Sequence, residues 1–251
     1  TKDPNPVLLN QLTELRMMSK AWAEKNNSTA PKDIKTQDEN FAHRNANGTG
    51  PFVLKEWQPD QKMVLTRNPN WWGKSAETNV TEIVYTPVKA TATRMAALLS
   101  GEVDFVLDPS PQDLPRVRAD GNLKVIDGIE NRTIFFGMDH HRGELPGSNI
   151  KGKNPLKDQR VRKALYQAID MDTIARVSLR GLGQPTGALV APQVNGWSEA
   201  IHKRYPFDVA AAQKLLADAG YKDGFEVDFA CPNNRYINDE QICQAVTSMW
   251  A

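Results

Sequence analysis

The side chains best able to do chemistry are few and scattered along the 251 residues. His140 and His141 are the one adjacent histidine pair and suggest a metal. In an extended segment neighbouring side chains point to opposite faces, so this pair cannot close on one ion without a bend. No second histidine one helical turn away and no Cys/His cluster with metal spacing accompanies them. The pair reads better as two solvated or singly hydrogen-bonded imidazoles. Cys231 and Cys243 are the two cysteines, too few for a disulfide-stapled miniprotein or a four-cysteine zinc module. A bond between them would close only a small loop, and two separate thiols packed as small hydrophobes are the favoured reading, with the disulfide left open. A Gly-x-Ser-x-Gly elbow and a Walker A loop are both missing. Gly181-Leu-Gly183-Gln-Pro-Thr-Gly187 has one residue too many for a dinucleotide loop, and Pro185 sits where a helix would have to begin, so it reads as a turn after a helix. No catalytic residue, metal site or cofactor is expected.

What remains is aromatic. Trp57, Trp71, Trp72 and Trp197 suit stacking on a ligand or sealing a core, and the Trp71-Trp72 pair follows the turn Asn68-Pro69-Asn70. Lys and Arg number 31 against 30 Asp and Glu, a net charge of +1 that gives no basic field for nucleic acid. The longest unbroken apolar run, Met95–Leu99, is far short of the ~18 residues a membrane span needs. Hydrophobic and charged contents of 40% and 24% suit a globular chain, and motif and composition together favour a binding or structural protein over an enzyme.

Alternating helical and period-two patterns position these residues. Leu8, Leu12, Leu15, Met18 and Trp22 fall at helical spacing, and residues 27–50 read as a polar loop with room for a short helix. Phe52–Trp57 and Met63–Arg67 flank Gln58-Pro59-Asp60-Gln61, the pattern of an antiparallel hairpin with a type I turn. Strands are expected at Val80–Thr86, Val103–Leu107, Leu123–Ile126, Arg132–Met138 and Gly224–Ala230. Helices are expected at Thr91–Leu99, capped by Thr91 and stopped by Gly101, at Pro111–Arg118, Asp158–Ile169, Asp172–Leu179 and Asp208–Ala219, and at Ile237–Ala251. The last pattern is still running at Ala251, and Thr1-Lys-Asp-Pro-Asn-Pro is a polar lead-in, so the chain is expected to be a piece of a longer protein. Residues 143–154, with three glycines, are a candidate boundary.

Read in order, Asn47-Gly-Thr-Gly-Pro-Phe-Val-Leu-Lys-Glu-Trp57 through Leu65-Thr-Arg-Asn-Pro-Asn-Trp-Trp-Gly73, then Ala92–Phe105, Asp158–Asp170 and Tyr205–Tyr221, resemble the bacterial extracellular solute-binding proteins of ABC importers, family 5, the dipeptide, oligopeptide and nickel-binding type. The resemblance covers about residues 47–229. It implies an α/β, periplasmic binding protein type II-like bilobal fold, present only in part. Residues 1–130 would belong to the first lobe, 131–150 to the crossing and its loop, and 151–251 to the second lobe. It further implies capture of a peptide-like small solute between the lobes, delivery to ABC permease subunits, no nucleic acid partner, and a periplasmic or lipoprotein-anchored location. A sensor or interaction domain on the same scaffold is the alternative, and a hydrolase a further one.

By this resemblance Thr133–Arg142 matches the crossing segment. Phe136, on one face with Ile134, is then either an apolar wall for the ligand or a core residue. Arg132 is either a partner for a ligand carboxylate or one half of a surface salt bridge. Asp108, after Val103–Leu107, matches a rim loop and could meet a ligand cation. Pro232–Asp239 matches the rim loop of the second lobe. There Asn234 and Arg235 offer polar contacts, the Arg235 fork suits a carboxylate, and Tyr236 offers a stacking face and a hydroxyl.

Overall fold

A computed structural model describes residues 3–36, 38–73 and 78–251. Thr1 and Lys2 of the polar lead-in lie outside them. The chain forms two compact units, Thr1–Val88 and Lys89–Ala251.

In the first unit the single helix expected over Leu8–Trp22 is two, α1 (Leu8–Leu12) and α2 (Lys20–Lys25). Two side chains compete with the helical ladder between them. The Thr13 hydroxyl bonds back to the Asn10 carbonyl at 2.6 Å, and Ser19 accepts from the Trp22 amide at 3.3 Å as a new N-cap. Leu9, Leu12 and Leu15 are exposed, so no buried apolar face holds the turns together. The polar stretch that follows contains short 3₁₀ turns at Ile34–Thr36 and Phe41–His43.

The hairpin is present as β1 (Phe52–Gln58) and β2 (Lys62–Arg67), antiparallel, with Trp57 opposite Met63 beside the turn. Asp60, in the third position of that turn, has φ 59°, which a type II turn needs and a type I turn does not. Lys55 is an extra residue between the pairs Leu54↔Leu65 and Glu56↔Val64, a β-bulge that resets the alternation. It brings Trp57 to the side of Leu54, Met63 and Leu65, where strict period-two counting from Leu54 would turn it away. Together they line a groove of about 390 Å³, which the Asn45–Gly48 loop also borders. β3 (Glu82–Tyr85) pairs with β2 to complete a β1-β2-β3 sheet. Of the tryptophan pair, Trp71 is half-buried and Trp72 is 80% exposed.

The second unit begins with α3 (Thr91–Ser100), which Ala90 rather than Thr91 precedes as cap. Gly101, at φ 77°, ends it: the Glu102 amide reaches the Ala97 carbonyl and the Gly101 amide that of Leu98, a Schellman closure. Then come α4 (Leu114–Ala119), α5 (Gln159–Gln167), α6 (Met171–Thr173), α7 (Glu199–His202), α8 (Val209–Asp218) and α9 (Asp239–Trp250). Asp158, Asp170 and Asp208 each accept a backbone N–H at the start of α5, α6 and α8. α6 runs on through a wide π turn, Ile174–Ser178. Gly181, at φ 83°, follows it, and the Gly187 amide bonds the His202 carbonyl at 3.1 Å, so the glycine-rich stretch is a turn.

Among the described residues of the second unit, buried apolar side chains gather in two clusters. Ile169, Ile174, Ile242 and Val246 form one, joined by Phe136, Met249 and Trp250. Leu145, Leu156 and Val161 form the other, joined by Met138, Leu216, Phe225 and Val227. Trp250 donates its indole N–H to the Leu165 carbonyl at 2.9 Å, pinning the end of α9 to α5. The Gly147–Asn149 turn is tied to the 225–228 segment by the Asp228 amide on the Gly147 carbonyl and by Ser148 on that of Glu226.

Four expected strands are corrected. Val103–Leu107, Leu123–Ile126, Arg132–Met138 and Gly224–Ala230 carry the period-two pattern but form no β-ladder among the described residues. A strand requires a partner whose backbone groups face it, and a local pattern does not supply one. A short alternation persists without the ladder, since Phe136 and Met138 turn inward while Phe135 stays 63% exposed, but it does not reach Ile134, which is 44% exposed although in phase with Phe136.

Candidate functional site

The second unit brings three of the six expected site residues together, Arg132 and Arg235 around the ring of Tyr236. Tyr236 is half-buried in the Pro232–Asn238 loop, and two guanidinium groups approach its face. The Arg132 Cζ lies 5.5 Å from the ring centroid and the Arg235 Cζ 5.2 Å. Each is within cation–π range, and Arg235 also donates from Nε to the Tyr236 hydroxyl at 2.8 Å. Arg132 is held from behind by Glu130, Nη2 to Oε1 2.8 Å. Of the two readings of Arg132, the surface ion pair is the one seen, and its guanidinium also faces the aromatic ring. Asn234 lies exposed on the same loop, one residue before Arg235.

The loop is fastened underneath. Asp239, 5% exposed, accepts the Arg235 and Tyr236 amides on Oδ2 at 2.8 and 3.0 Å, and the Glu240 amide on Oδ1 at 2.9 Å. Burial pushes its carboxyl up, and these backbone N–H groups outweigh that push, leaving it below the usual carboxylate range. Asn238 takes φ 52°, and its Nδ2 reaches the Ser178 carbonyl at 2.7 Å and Gln112 Oε1 at 2.9 Å. Through Gln112, the Ser110–Asp113 turn, which follows Asp108 in the chain, is tied to the end of the loop that carries Arg235.

Cys231 and Cys243 are bonded to each other, which corrects the expectation of two separate thiols. The loop between them doubles back into the first turn of α9 and brings the two Cα atoms to 6.5 Å, inside the range a disulfide spans. Cys243 is buried, as expected of a small hydrophobe, and Cys231 is exposed.

Phe136 is half-buried, edge-on to Phe229 and Trp250 with centroids at 5.0 and 6.2 Å. It belongs to the core cluster that holds α9, with part of its surface open. Asp108 is exposed at φ 49°, and no hydrogen bond or ion pair joins it to the other five residues. His140 and His141 are exposed at a turn built on Asp139, whose carboxylate accepts the His141 and Arg142 amides. Gln112, Asn238 and Asp239 were missed by sequence reasoning. The first two act over 126 residues of separation and leave no local trace, whereas Asp239 before the apolar periodicity of α9 was a readable helix-start signal.

All 251 residues match the family described as bacterial extracellular solute-binding proteins, family 5 Middle. Heme-binding protein A of Haemophilus influenzae is 30% identical over 184 residues, covering 72% of this chain and 31% of the relative. The dipeptide-binding protein of Escherichia coli is 26% identical over 213 residues, covering 81% and 36%. The chain thus spans about a third of the length of these curated relatives. Among solved structures, the lactococcal OppA complexed with an endogenous peptide matches with a TM-score of 0.66 at 22% identity, covering 91% of this chain and 44% of that one. NikA of Brucella suis in complex with Fe(III)-EDTA matches with a TM-score of 0.53 at 29% identity, covering 69% and 33%. The architecture is accordingly part of an α/β type II periplasmic-binding-protein fold. By its match over all 251 residues, the chain belongs to the family 5 bacterial extracellular solute-binding proteins.

Proposed function

We propose that this chain is part of the substrate-binding component of an ABC importer. That component captures a peptide-like small solute in an interlobe cleft and delivers it to permease subunits at the membrane, from a periplasmic or lipoprotein-anchored position. In this reading residues 1–130 contribute to the first lobe, 131–150 cross between the lobes, and 151–251 open the second. No chemical step is assigned to it, in keeping with relatives named as binding proteins.

The observation that carries the reading is the pair of guanidinium groups on Tyr236, in a chain that matches the family throughout. Two positive forks beside a hydroxyl and an aromatic face suit a ligand with a carboxylate at one end and an apolar body. Arg235 and Arg132 would meet the carboxylate, and Tyr236 would stack with the solute beside it. Asn234 would add a hydrogen bond from the rim, the open part of Phe136 an apolar wall, and Asp108 a counter-charge for a ligand cation. Native mass spectrometry of the natural gene product, incubated with an equimolar mixture of dipeptides, tests this. One-to-one adducts that leave the dipeptides intact are expected. Cleavage of the mixture, or no adduct at saturating concentration, would overturn the reading.

A further inference from the structure

The Pro232–Asn238 loop has little of its own to hold it still. It is largely polar, none of its seven residues is buried or in regular structure beyond bends and turns, and Arg235 is exposed. A free loop of this composition would sample many conformations, and a ligand binding to it would bear the cost of ordering it. Its order comes from outside the loop. At one end Cys231 is bonded to Cys243, and Cys243 sits on α9 between Ile242 and the rest of a helix whose Val246 is fully buried. The exposed start of the loop is thereby attached to a buried face of α9. At the other end the buried Asp239 carboxylate grips the backbone amides of Arg235 and Tyr236 themselves. Asn238, turned into the left-handed region, anchors the last loop residue to Ser178 and Gln112.

We propose that the Cys231–Cys243 disulfide and Asp239 are positioning residues that preset Arg235 and Tyr236, so that a ligand meets an already ordered rim. The disulfide restricts where the loop starts, and the carboxylate fixes the two peptide units whose side chains face outward. The ligand half of this statement rests on the function proposed above; the positioning half rests on the bonds alone.

Residue-resolved hydrogen exchange on the natural gene product tests it. Three proteins are compared: the unmodified chain, the pair Cys231→Ser with Cys243→Ser, and Asp239→Ala. The Arg235 and Tyr236 amides are expected to exchange at least ~10-fold faster in both variants, while the Val246 and Met249 amides in α9 change less than about twofold, since opening of the loop is local. Equal acceleration of α9 would make the disulfide and carboxylate merely structural, and unchanged Arg235 and Tyr236 amides would overturn the proposal outright. Should the serine pair fail to fold, Asp239→Asn keeps the disulfide and one acceptor oxygen and must fall between the unmodified chain and Asp239→Ala. The dipeptide mixture is then titrated against all three. Weaker binding by at least ~3-fold in the variants supports presetting, and equal affinity with accelerated exchange removes the ligand half. If the unmodified chain binds no dipeptide, the proposed function fails, and the exchange pattern still decides the positioning role.

Discussion

Phe135 and Phe136 are adjacent, chemically identical and turned to opposite sides, which makes them a test of how this unit is held together. Phe136 packs edge-on against Phe229 and Trp250, beside Ile242 and Val246. Truncating a fully buried phenylalanine to alanine costs about 3–5 kcal/mol. Phe136 is half-buried, which scales the loss to roughly 1.5–2.5 kcal/mol, and its aromatic contacts add about 0.5–1 kcal/mol beyond area. Phe136→Ala should therefore destabilise by about 2–3 kcal/mol. For a unit of this size that lowers Tm by roughly 5–10 °C. Phe135 is 63% exposed, and its removal should stay within about 0.5 kcal/mol. Urea titrations of the two variants side by side measure both numbers. Equal losses, or a larger loss for Phe135→Ala, would refute the inward assignment of Phe136 and the alternation over residues 135–138.

Asn154→Ala should cost about 2–4 kcal/mol, measured as a shift in the urea midpoint, because the buried amide supplies the Asp139 and Arg142 carbonyls and accepts the Leu156 amide. Gly147→Ala should also destabilise, by about 2 kcal/mol or more, since φ is 70° and the added methyl would run into the Asp228 carboxylate; a neutral result in thermal melts would count against this packing. Asp158, held down by Arg160, Asp170, held down by Thr173, and Asp239, pushed up by burial but more strongly down by backbone amides, all sit below the usual carboxylate range. Their stabilisation is present above the unfolded value near pH 3.9 and is lost as pH falls through the lower folded values, so the urea midpoint should be level from pH 7 to about 5 and drop below about pH 4. A midpoint that holds to pH 2.5 would contradict that.

What was legible in the sequence was local. Helix starts at Asp158 and Asp208, Gly101 as a stop, and the hairpin around Pro59 each follow from a few neighbouring residues, and each is found where expected, the turn type apart. The family resemblance over about residues 47–229 rested on the same local strings. What was not legible depends on partners far along the chain. The segments 103–107 and 225–230 have the alternation of strands, but nothing local says whether a second backbone lies beside them. Trp57 changes face because of one unpaired residue, Lys55, which no residue type announces. The Cys231–Cys243 bond depends on the loop turning back before α9, and that turn depends on Asp239 and Asn238. In the candidate site, Arg235 and Tyr236 were readable as a motif, whereas the approach of Arg132 across 104 residues is a property of the fold.

Isothermal titration of the natural gene product with the dipeptides it retains, repeated on Arg235→Ala, tests the central claim most directly. The account predicts saturable one-to-one binding and a loss of at least ~30-fold on removing the Arg235 fork, about 2 kcal/mol. Melting of the unbound protein should fall by less than about 2 °C, because Arg235 is exposed. Unchanged affinity in a folded Arg235→Ala variant, or no saturable binding by the unmodified protein, would contradict it.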